Sequence, residues 1–534
     1  MRSDSTKLVQ SGLLLTFLFL TACGGGGDTS CASAPVSAPV AAAVPAPAPV
    51  VTSMGTDFYL TLPNHLCVSI PVRCMHTTVT NKLIVAASAA TTGDVTFKGA
   101  ITPFSVAAGG QVVITLDPAV VLTTNEVIEA KAIHVTALSP VSVHVVSETA
   151  TSADGYLALP TAGLGTSYYV MSYASINEPG SEFAVVATQN NTTVTITPKA
   201  AGLTKPAGVA FTIMLNSGQT YQFGNEAFAD MTGTVVTADK PIAVFSGHHW
   251  ANVPSGTGYG DYLVEQLPDV SIWGKTHHTS LFSGRTNYTV RVMASQNNTT
   301  FTSPPALSAA TIGILNAGEF RDVLLTGAAE FVSDKPVLVA QFMNGYAADT
   351  AGKGDPSMVI VTPAEQAMTD STFGVHGLAG TASTLLTRPF VNIVTQTGAL
   401  ATLKLDNAVV NSALFTPVGG ASIYSTGTIQ VSPGVHTLVG SLPYSAIVYD
   451  YGTALNAVSY AYPVAAKLTP PAIPAPAPVT PAPAAANPSP AVCVYAQGAG
   501  DLQSQDDTEQ DGHDDHHNDH HDEHQDDGSH DSHA

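Results

Sequence analysis

The sequence predicts an all-β protein whose central region, residues 54–465, consists of four related β units of about 100 residues each. Charged residues make up 11% of the chain, against about 25% in typical soluble domains. The central region has no sustained 3.6-residue periodicity. It has short runs of Val, Ile, Thr, Phe and Tyr separated by Gly, Pro and Asn turns, which is the pattern of strands.

Repeated segments give the number of units. An Asn-Asn-Thr-Thr turn lies between strand-like runs at Asn190–Thr193 and again at Asn297–Thr300. An Asp-Lys-Pro segment and an apolar run follow each copy, at Asp239–Pro241 and Asp334–Pro336, and weaker copies flank these two. The prolines of the four copies, which are 101, 95 and 107 residues apart, are Pro140, Pro241, Pro336 and Pro443.

These prolines also suggest how the units are built. We expect each proline at the first position of a strand, where no ladder donor is missed. Four such units form either tandem β-sandwiches or a propeller-like ring, and the sequence does not decide between the two.

Residues 1–22 are predicted to be a lipoprotein signal peptide. The apolar run Leu13–Leu20 is too short to span a membrane, which takes about 20 apolar residues in a helix. It is followed by Leu-Thr-Ala-Cys, which resembles the bacterial lipobox and implies lipidation of Cys23. Because Gly24 follows rather than Asp, the bacterial cell envelope and its outer membrane are the expected location. The alternative is an ordinary signal peptide in which Cys23 has no role.

Two Pro/Ala-rich segments flank the β region, within residues 23–53 and 466–500. Repeated prolines favour extended polyproline II, so both are expected to act as semi-rigid linkers. Of the cysteines other than Cys23, we favour a Cys67–Cys74 disulfide. Cys31 and Cys493 lie in the two linkers and either join the ends of the domain or stay free.

The last segment, residues 501–534, holds 13 acidic residues and no Lys or Arg, so the other 500 residues carry a formal charge of only −9. No basic patch is available for nucleic acid. The tail has no apolar anchors and is expected to be disordered without metal. No cofactor is required, but imidazoles interleaved with carboxylates suit Zn²⁺, Ni²⁺ or Cu²⁺. The candidate metal ligands are His513, His516, His517, His520, His521, His524, His530 and His533.

A family resemblance rests on three segments of the central region. These are SEFAVVATQNNTTVTITP from Ser181, GTVVTADKPIAVFSGHHWANVP from Gly233, and DYLVEQLPDVSIWGK from Asp261. They are similar to the EFAVVA strand, the PVAVLSGH strand and the VVEQLLPTSAWG segment of the IgGFc-binding protein N-terminal domain family. The resemblance is taken to cover about residues 54–465. It implies a surface protein of unassigned ligand, which is what bacterial chains with this domain look like. The mammalian members are secreted mucus proteins named for binding immunoglobulin Fc.

The cluster His248-His249-Trp250 departs from the mammalian pattern, which carries a cysteine-containing stretch there. It follows an apolar run and is a candidate ligand-contact loop. The favoured interpretation is a structural strand end, since adjacent His side chains on a strand point to opposite faces. Asp261 and Glu265 are weak candidates for paired acid–base carboxylates.

The chain is therefore predicted to be a membrane-anchored surface module that binds or adheres to a protein or glycan ligand. A metal-handling lipoprotein acting through its tail is the alternative. An extracellular hydrolase is the third, disfavoured reading, because the sequence has no Gly-x-Ser-x-Gly elbow, His-Glu-x-x-His helix or phosphate-binding loop. We do not expect an enzyme.

Overall fold

Strands dominate the structure, as the composition predicts. The computed structural model describes residues 50–74, 78–302, 312–349, 351–378, 389–452 and 458–471. The strands in this part of the chain form four antiparallel sheets, which confirms the all-β class and the four units. The sole α-helix of the described residues is α1, Leu66–Ser69. None of the described helices is long and apolar enough to cross a membrane.

The sheets correspond to four repeats of the chain, numbered 55–157, 165–266, 274–360 and 368–463, except that the short strand Ile128–Glu129 of repeat 1 pairs into the second sheet. The strands of repeat 1 are β1 Gly55–Leu60, β2 Thr80–Ala87, β3 Thr91–Phe97, β4 Ala100–Val106, β5 Gly110–Thr115, β6 Ile128–Glu129, β7 Ile133–Glu148 and β8 Ala153–Leu157. The strands of repeat 2 are β9 Gly165–Tyr169, β10 Ser181–Ala187, β11 Thr192–Thr197, β12 Phe211–Leu215, β13 Thr220–Gly224, β14 Val235–Ala251 and β15 Asp261–Gln266.

Repeats 3 and 4 follow the same plan. The strands of repeat 3 are β16 Gly274–Thr279, β17 Tyr288–Ala294, β18 Phe320–Leu325, β19 Ala329–Met343 and β20 Ser357–Ile360. The strands of repeat 4 are β21 Met368–Val375, β22 Phe390–Gln396, β23 Lys404–Leu405, β24 Ala408–Val409, β25 Phe415–Pro417, β26 Tyr424–Gln430, β27 Gly434–Tyr451 and β28 Ser459–Pro463. Short 3₁₀ turns lie at Pro71–Cys74, Pro118–Val120, Thr161–Gly163, Val270–Ile272, Tyr346–Ala348, Ala364–Gln366, Thr397–Ala399 and Ser412–Leu414.

One long strand organises each repeat. Strands β7, β14, β19 and β27 each pair with the first and the last strand of their own repeat, and the register against the first strand shifts partway along. The shift bends the long strand, so that its two halves belong to two faces of a barrel-like unit.

The repeated prolines lie at these bends, inside the long strands, so the prediction that they begin strands is wrong. In β14, Ala238 pairs with β11 and Ile242 pairs with β10, and Pro241 lies between the two. The strand changes partner there and needs no ladder donor, which is where a residue without an N–H is tolerated.

The two Asp-Lys-Pro segments hold the two Asn-Asn-Thr-Thr turns. Lys240 Nζ donates to the carbonyl oxygens of Asn190 and Asn191, both at 2.6 Å, and Asp239 accepts from the Thr193 amide at 2.8 Å. The same bonds recur in repeat 3, where Lys335 and Asp334 are the partners of the second turn. The sequence echo therefore reflects a shared structural clamp.

The hydrophobic cores show that the repeats form a closed ring. The core of repeat 1 includes Phe245 of repeat 2, the core of repeat 2 includes Phe342 of repeat 3, and the core of repeat 3 includes Tyr449 of repeat 4. The core of repeat 4 is completed by Ile84 and Val146 of repeat 1. Each repeat buries apolar surface on the next, so the propeller-like ring is the arrangement observed.

The last strands of the repeats line the centre of this ring. Strand β8 contacts β15 and β28, and β20 contacts the same two strands. Asp154 of β8 is completely buried there. Its carboxylate accepts from the amides of Val264 at 3.1 Å, Met358 at 3.0 Å and Ala461 at 3.4 Å, one from each of the other repeats.

The two ends of the described domain lie together. The Leu468 amide donates to the Val51 carbonyl at 2.8 Å, and Thr52 and Lys467 form an isolated bridge. Leu468 packs with Leu159 and Ile272, near the Gln266 end of β15. The described domain therefore begins and ends at the same end of the inner strands.

Candidate functional site

The cluster named as a candidate contact loop is part of a strand. Strand β14 continues to Ala251, so His248, His249 and Trp250 belong to its last residues rather than to a loop. The ladder to β15 pairs His248 with Leu263 and Ala251 with Asp261, and a bulge at His249 and Trp250 lies between these pairs. His248 is 1% exposed, and its Nδ1 accepts from the Trp250 amide at 3.0 Å. The bulge interrupts the strand alternation, and the His248 and His249 rings meet edge to face with centroids 5.5 Å apart.

His249 lies on the wall of a cleft between repeats 1 and 2. The Asn64 side chain contacts its Nδ1 at 3.3 Å, and its backbone amide donates to the Gly180 carbonyl. Gly180 has a φ of 129°, and a Cβ there would lie 2.5 Å from the imidazole, so only glycine permits this approach. Burial lowers the pKa of His249 to about 4, so the ring is neutral at pH 7.

The cleft has a volume of about 500 Å³, within the size range of small-ligand sites. Ten of its 16 lining residues have polar or charged side chains. The lining residues are Asn64, Ser69, Ile70, Thr123, Thr124, Asn125, Val127, Glu178, Pro179, Gly180, Glu182, Leu203, Gly224, Asn225, Glu226 and His249.

Three buried polar atoms of this lining have no hydrogen-bond partner within the described residues: Asn64 Oδ1, Glu182 Oε1 and His249 Nε2. Leaving a buried donor or acceptor unpaired costs about 1–3 kcal/mol. Glu182 is 2% exposed, and burial raises the pKa of its carboxyl well above the usual range. Three such atoms on one cleft are the arrangement expected where a ligand or ordered water supplies the missing bonds.

A disulfide braces one wall of the cleft. The Cys67–Cys74 pair that the sequence favours is bonded in the structure, with Cα atoms 5.2 Å apart. It holds the short helix α1, whose residue Ser69 lines the cleft. Trp250 packs against this disulfide cluster, so its ring supports the wall.

Two of the acidic residues in the cleft have partners. Glu178 Oε2 accepts from Arg73, and Glu178 Oε1 lies 3.9 Å from His249 Nε2. Glu226 accepts from the Asn125 side chain at 3.3 Å. Glu182 is therefore the acid of the cleft whose hydrogen-bonding capacity is unused.

A model of the IgGFc binding protein family matches residues 154–449, more than half of the chain. The chain belongs to this family. Human (Homo sapiens) IgGFc-binding protein is 31% identical over 162 residues, which are 29% of this chain and 3% of that protein. The chain thus spans a small part of the length of this relative.

Among solved structures, one described as a "Ca2+-stabilized adhesin" that helps an Antarctic bacterium "reach out and bind ice" aligns at 9% identity. The alignment covers 77% of this chain and 98% of that chain, with a TM-score of 0.11. A TM-score this low carries no argument about the fold or the ligand.

The IgGFc binding protein match is narrower than the predicted span of 54–465. It begins within β8 and leaves out the rest of repeat 1, whose bend segment Ser139-Pro140 lacks the Asp-Lys pair of repeats 2 and 3. The cleft crosses this boundary. Glu182 and His249 lie inside the matched residues, whereas Asn64 and the Thr123–Val127 wall lie outside them.

The other residues considered from the sequence serve the interior of the IgGFc binding fold. Asp261 accepts from Ser152 and from the amides of Ala153 and Tyr262. Glu265 accepts from the Ile360 amide at 3.1 Å. Burial raises the pKa of both carboxyls, and neither residue lines the cleft.

Several predicted residues lie outside the part of the chain that the structure describes, so their roles stay predictions. They are Cys23, Cys31, Cys493 and the histidines of the tail, His513, His516, His517, His520, His521, His524, His530 and His533. Within the described ranges, no group of three or more His, Cys, Asp or Glu side chains is arranged to hold a metal ion.

Sequence reasoning missed Glu182, the central residue of the cleft. The signal was present, because Glu182 is a charged residue within the otherwise apolar run of Ser181–Ala187, all of which is buried. A buried acid is rare unless it is paired or functional. Asn64 carried no comparable signal, since it comes from a loop of repeat 1 far from His249 in sequence.

Proposed function

We propose that this member of the IgGFc binding protein family is an envelope-anchored binding module that holds a protein or glycan ligand in the His249 cleft. The observation that supports it is the group of unpartnered buried atoms on Asn64, Glu182 and His249. A rigid sheet carries two of these residues, which favours preorganised recognition.

The position of the cleft suits a tethered module. His249 lies near the Asp261 end of β15, because His248 pairs with Leu263 and Ala251 with Asp261. The described domain begins and ends near the Gln266 end, about 17 Å from Asp261 at the rise of a strand. A lipid on Cys23 in the outer membrane would therefore hold the domain by the end opposite the cleft.

The name of the human relative refers to IgGFc binding, and this chain covers 3% of that protein. Seven of the 16 lining residues come from repeat 1, outside the family match. We therefore propose a ligand specific to this chain, and immunoglobulin enters the test as one ligand among several.

Catalysis is the weaker proposal. The pair of His249 and Glu178 in a cleft is the observation that favours a hydrolase. Their atoms are 3.9 Å apart, beyond hydrogen-bond distance, and Glu178 is already engaged by Arg73. No Ser, Cys or Thr hydroxyl or thiol is bonded to His249 within the described residues, as a nucleophile would be.

The experiment is capture of mucin, immunoglobulin and envelope extract by the full chain, compared with Glu182→Gln and with a chain lacking residues 501–534. We expect one partner to bind saturably. The Glu182→Gln variant should bind it with an affinity at least about tenfold lower, the effect of one charge-assisted bond. The chain lacking residues 501–534 should bind it as the full chain does. The matched control is Asp94→Asn, an exposed carboxylate on β3, which should bind normally.

Two results would contradict the proposal. Partner capture that Glu182→Gln leaves unchanged would exclude the cleft. Capture that disappears with residues 501–534 or with a chelator would favour the metal-binding tail and its Zn²⁺, Ni²⁺ or Cu²⁺ as the functional part.

A further inference from the structure

The charge of the cleft is one-sided. Glu178, Glu182 and Glu226 line it, and no Lys or Arg side chain does. Arg73 neutralises Glu178 from outside the lining. Burial favours the neutral form of the Glu182 carboxyl, and a cationic group bound beside it would favour the ionised form instead.

The floor of the cleft at Glu182 is covered on both sides. On the two neighbouring strands Glu182 pairs with Gly224 of β13 and Gly247 of β14. The Asn125 side chain lies over Gly224, and the Leu263 carbonyl lies over Gly247. Because the Leu263 carbonyl is backbone, a ligand group reaches the buried Glu182 Oε1 by displacing the Asn125 side chain.

The rim is apolar and carries no aromatic platform. Ile70, Val127 and Leu203 line the cleft and are 43%, 47% and 55% exposed. His249 is the sole ring of the lining, and its edge is held against Gly180. Aliphatic rims suit the methylene stems of Lys and Arg, whereas sugar and base recognition commonly uses an aromatic face for stacking.

We infer that the cleft binds a Lys or Arg side chain of a protein ligand, with Glu182 as the acceptor at its floor and the aliphatic rim around the stem. This inference rests on the proposed function and narrows its ligand to a protein with an exposed basic residue. An ammonium or guanidinium supplies several donors at once, so Glu182 Oε1 and Asn64 Oδ1 could both gain partners.

The test measures binding of acetyl-Gly-Arg-Gly-amide and its lysine analogue to the full chain by calorimetry. The citrulline peptide is the control, because it keeps the shape of arginine without the charge. We expect the basic peptides to bind at least tenfold more tightly than the citrulline peptide. Glu182→Gln should abolish that preference, and Asp94→Asn should keep it.

A second variant leaves the charges in place. Gly224→Ala adds a Cβ that lies 3.0 Å from the Asn125 side chain, which can move, and it should weaken arginine-peptide binding at least fivefold by narrowing the floor. Circular dichroism and thermal unfolding verify that both variants fold. Gly224→Ala therefore tests whether blocking the cleft weakens binding while the Glu182 carboxyl is still present.

Equal binding of the citrulline and arginine peptides would overturn the inference. A second contradicting result concerns competition for a captured partner that the Glu182→Gln variant no longer binds. If a neutral oligosaccharide displaces this partner and the arginine peptide does not, the proposed function stands and the ligand class is wrong. If Glu182→Gln retains every partner, the proposed function itself fails.

Discussion

Replacing Asp154 with asparagine is expected to lower the free energy of unfolding by about 4 kcal/mol. The Asp154 carboxylate accepts from amides of the other three repeats, Val264, Met358 and Ala461, and from its own neighbour Gly155. An amide side chain offers one acceptor oxygen, so at least two buried N–H groups would lose their partner, each at about 1–3 kcal/mol. The lost hydrogen bonds are those that join all four repeats at the centre of the ring.

Urea unfolding followed by tryptophan fluorescence measures this effect, since the chain has only Trp250 and Trp273. Asp94→Asn makes the same chemical change on an exposed strand and should shift the free energy by no more than about 0.5 kcal/mol. An Asp154→Asn midpoint equal to that of Asp94→Asn would show that the ring does not depend on this carboxylate.

Arg291→Ala is expected to destabilise the protein by about 3–5 kcal/mol, the range for breaking a buried ion pair. Arg291 of repeat 3 is 3% exposed. Its guanidinium donates to both oxygens of Asp322 at 2.7 and 2.8 Å, and across the repeat boundary to Asp230 and the Ser172 carbonyl, each at 2.7 Å. Burial alone would lower the pKa of Arg291, but Asp230 and Asp322 raise it above its usual range.

Two rings enclose the same guanidinium, with Tyr173 of repeat 2 at 4.7 Å and Phe320 of repeat 3 at 4.1 Å. Arg291→Lys keeps the charge but loses the planar guanidinium fork, so its free energy of unfolding should lie between those of the wild type and Arg291→Ala. The exposed neighbour Arg321 is the control, and Arg321→Ala should stay within about 0.5 kcal/mol of the wild type in the same urea experiment. An Arg291→Lys protein as stable as the wild type would contradict the role given to the fork.

The repeats were predictable from sequence because their clamps are local. The Asp239–Pro241 segment and the Asn190–Thr193 turn are joined by direct bonds within one repeat, and their residue types recur one repeat later. The proline positions were also visible, but their place within a strand was not, because a bend depends on which strands pair on either side.

The ring and the cleft depend on long-range contacts that no local pattern reports. Ile84 enters the core of repeat 4, and Asn64 meets His249 from 185 residues away. The sequence singled out His249 through its unusual neighbours but gave no indication that Glu182 would lie on the same cleft. The residue types in the sequence therefore pointed to His249 on one wall of the cleft. The opposite wall, with Asn64, is known only from the fold.

Hydrogen–deuterium exchange of the full chain, with and without a saturating amount of the protein that it captures, locates the ligand on the domain. We expect protection of residues 178–182, 222–226 and 248–250, together with the Asn64 loop, while strands β23–β26 of repeat 4 exchange unchanged. Protection confined to repeats 3 and 4, or to residues 501–534, would contradict the assignment of ligand binding to the His249 cleft.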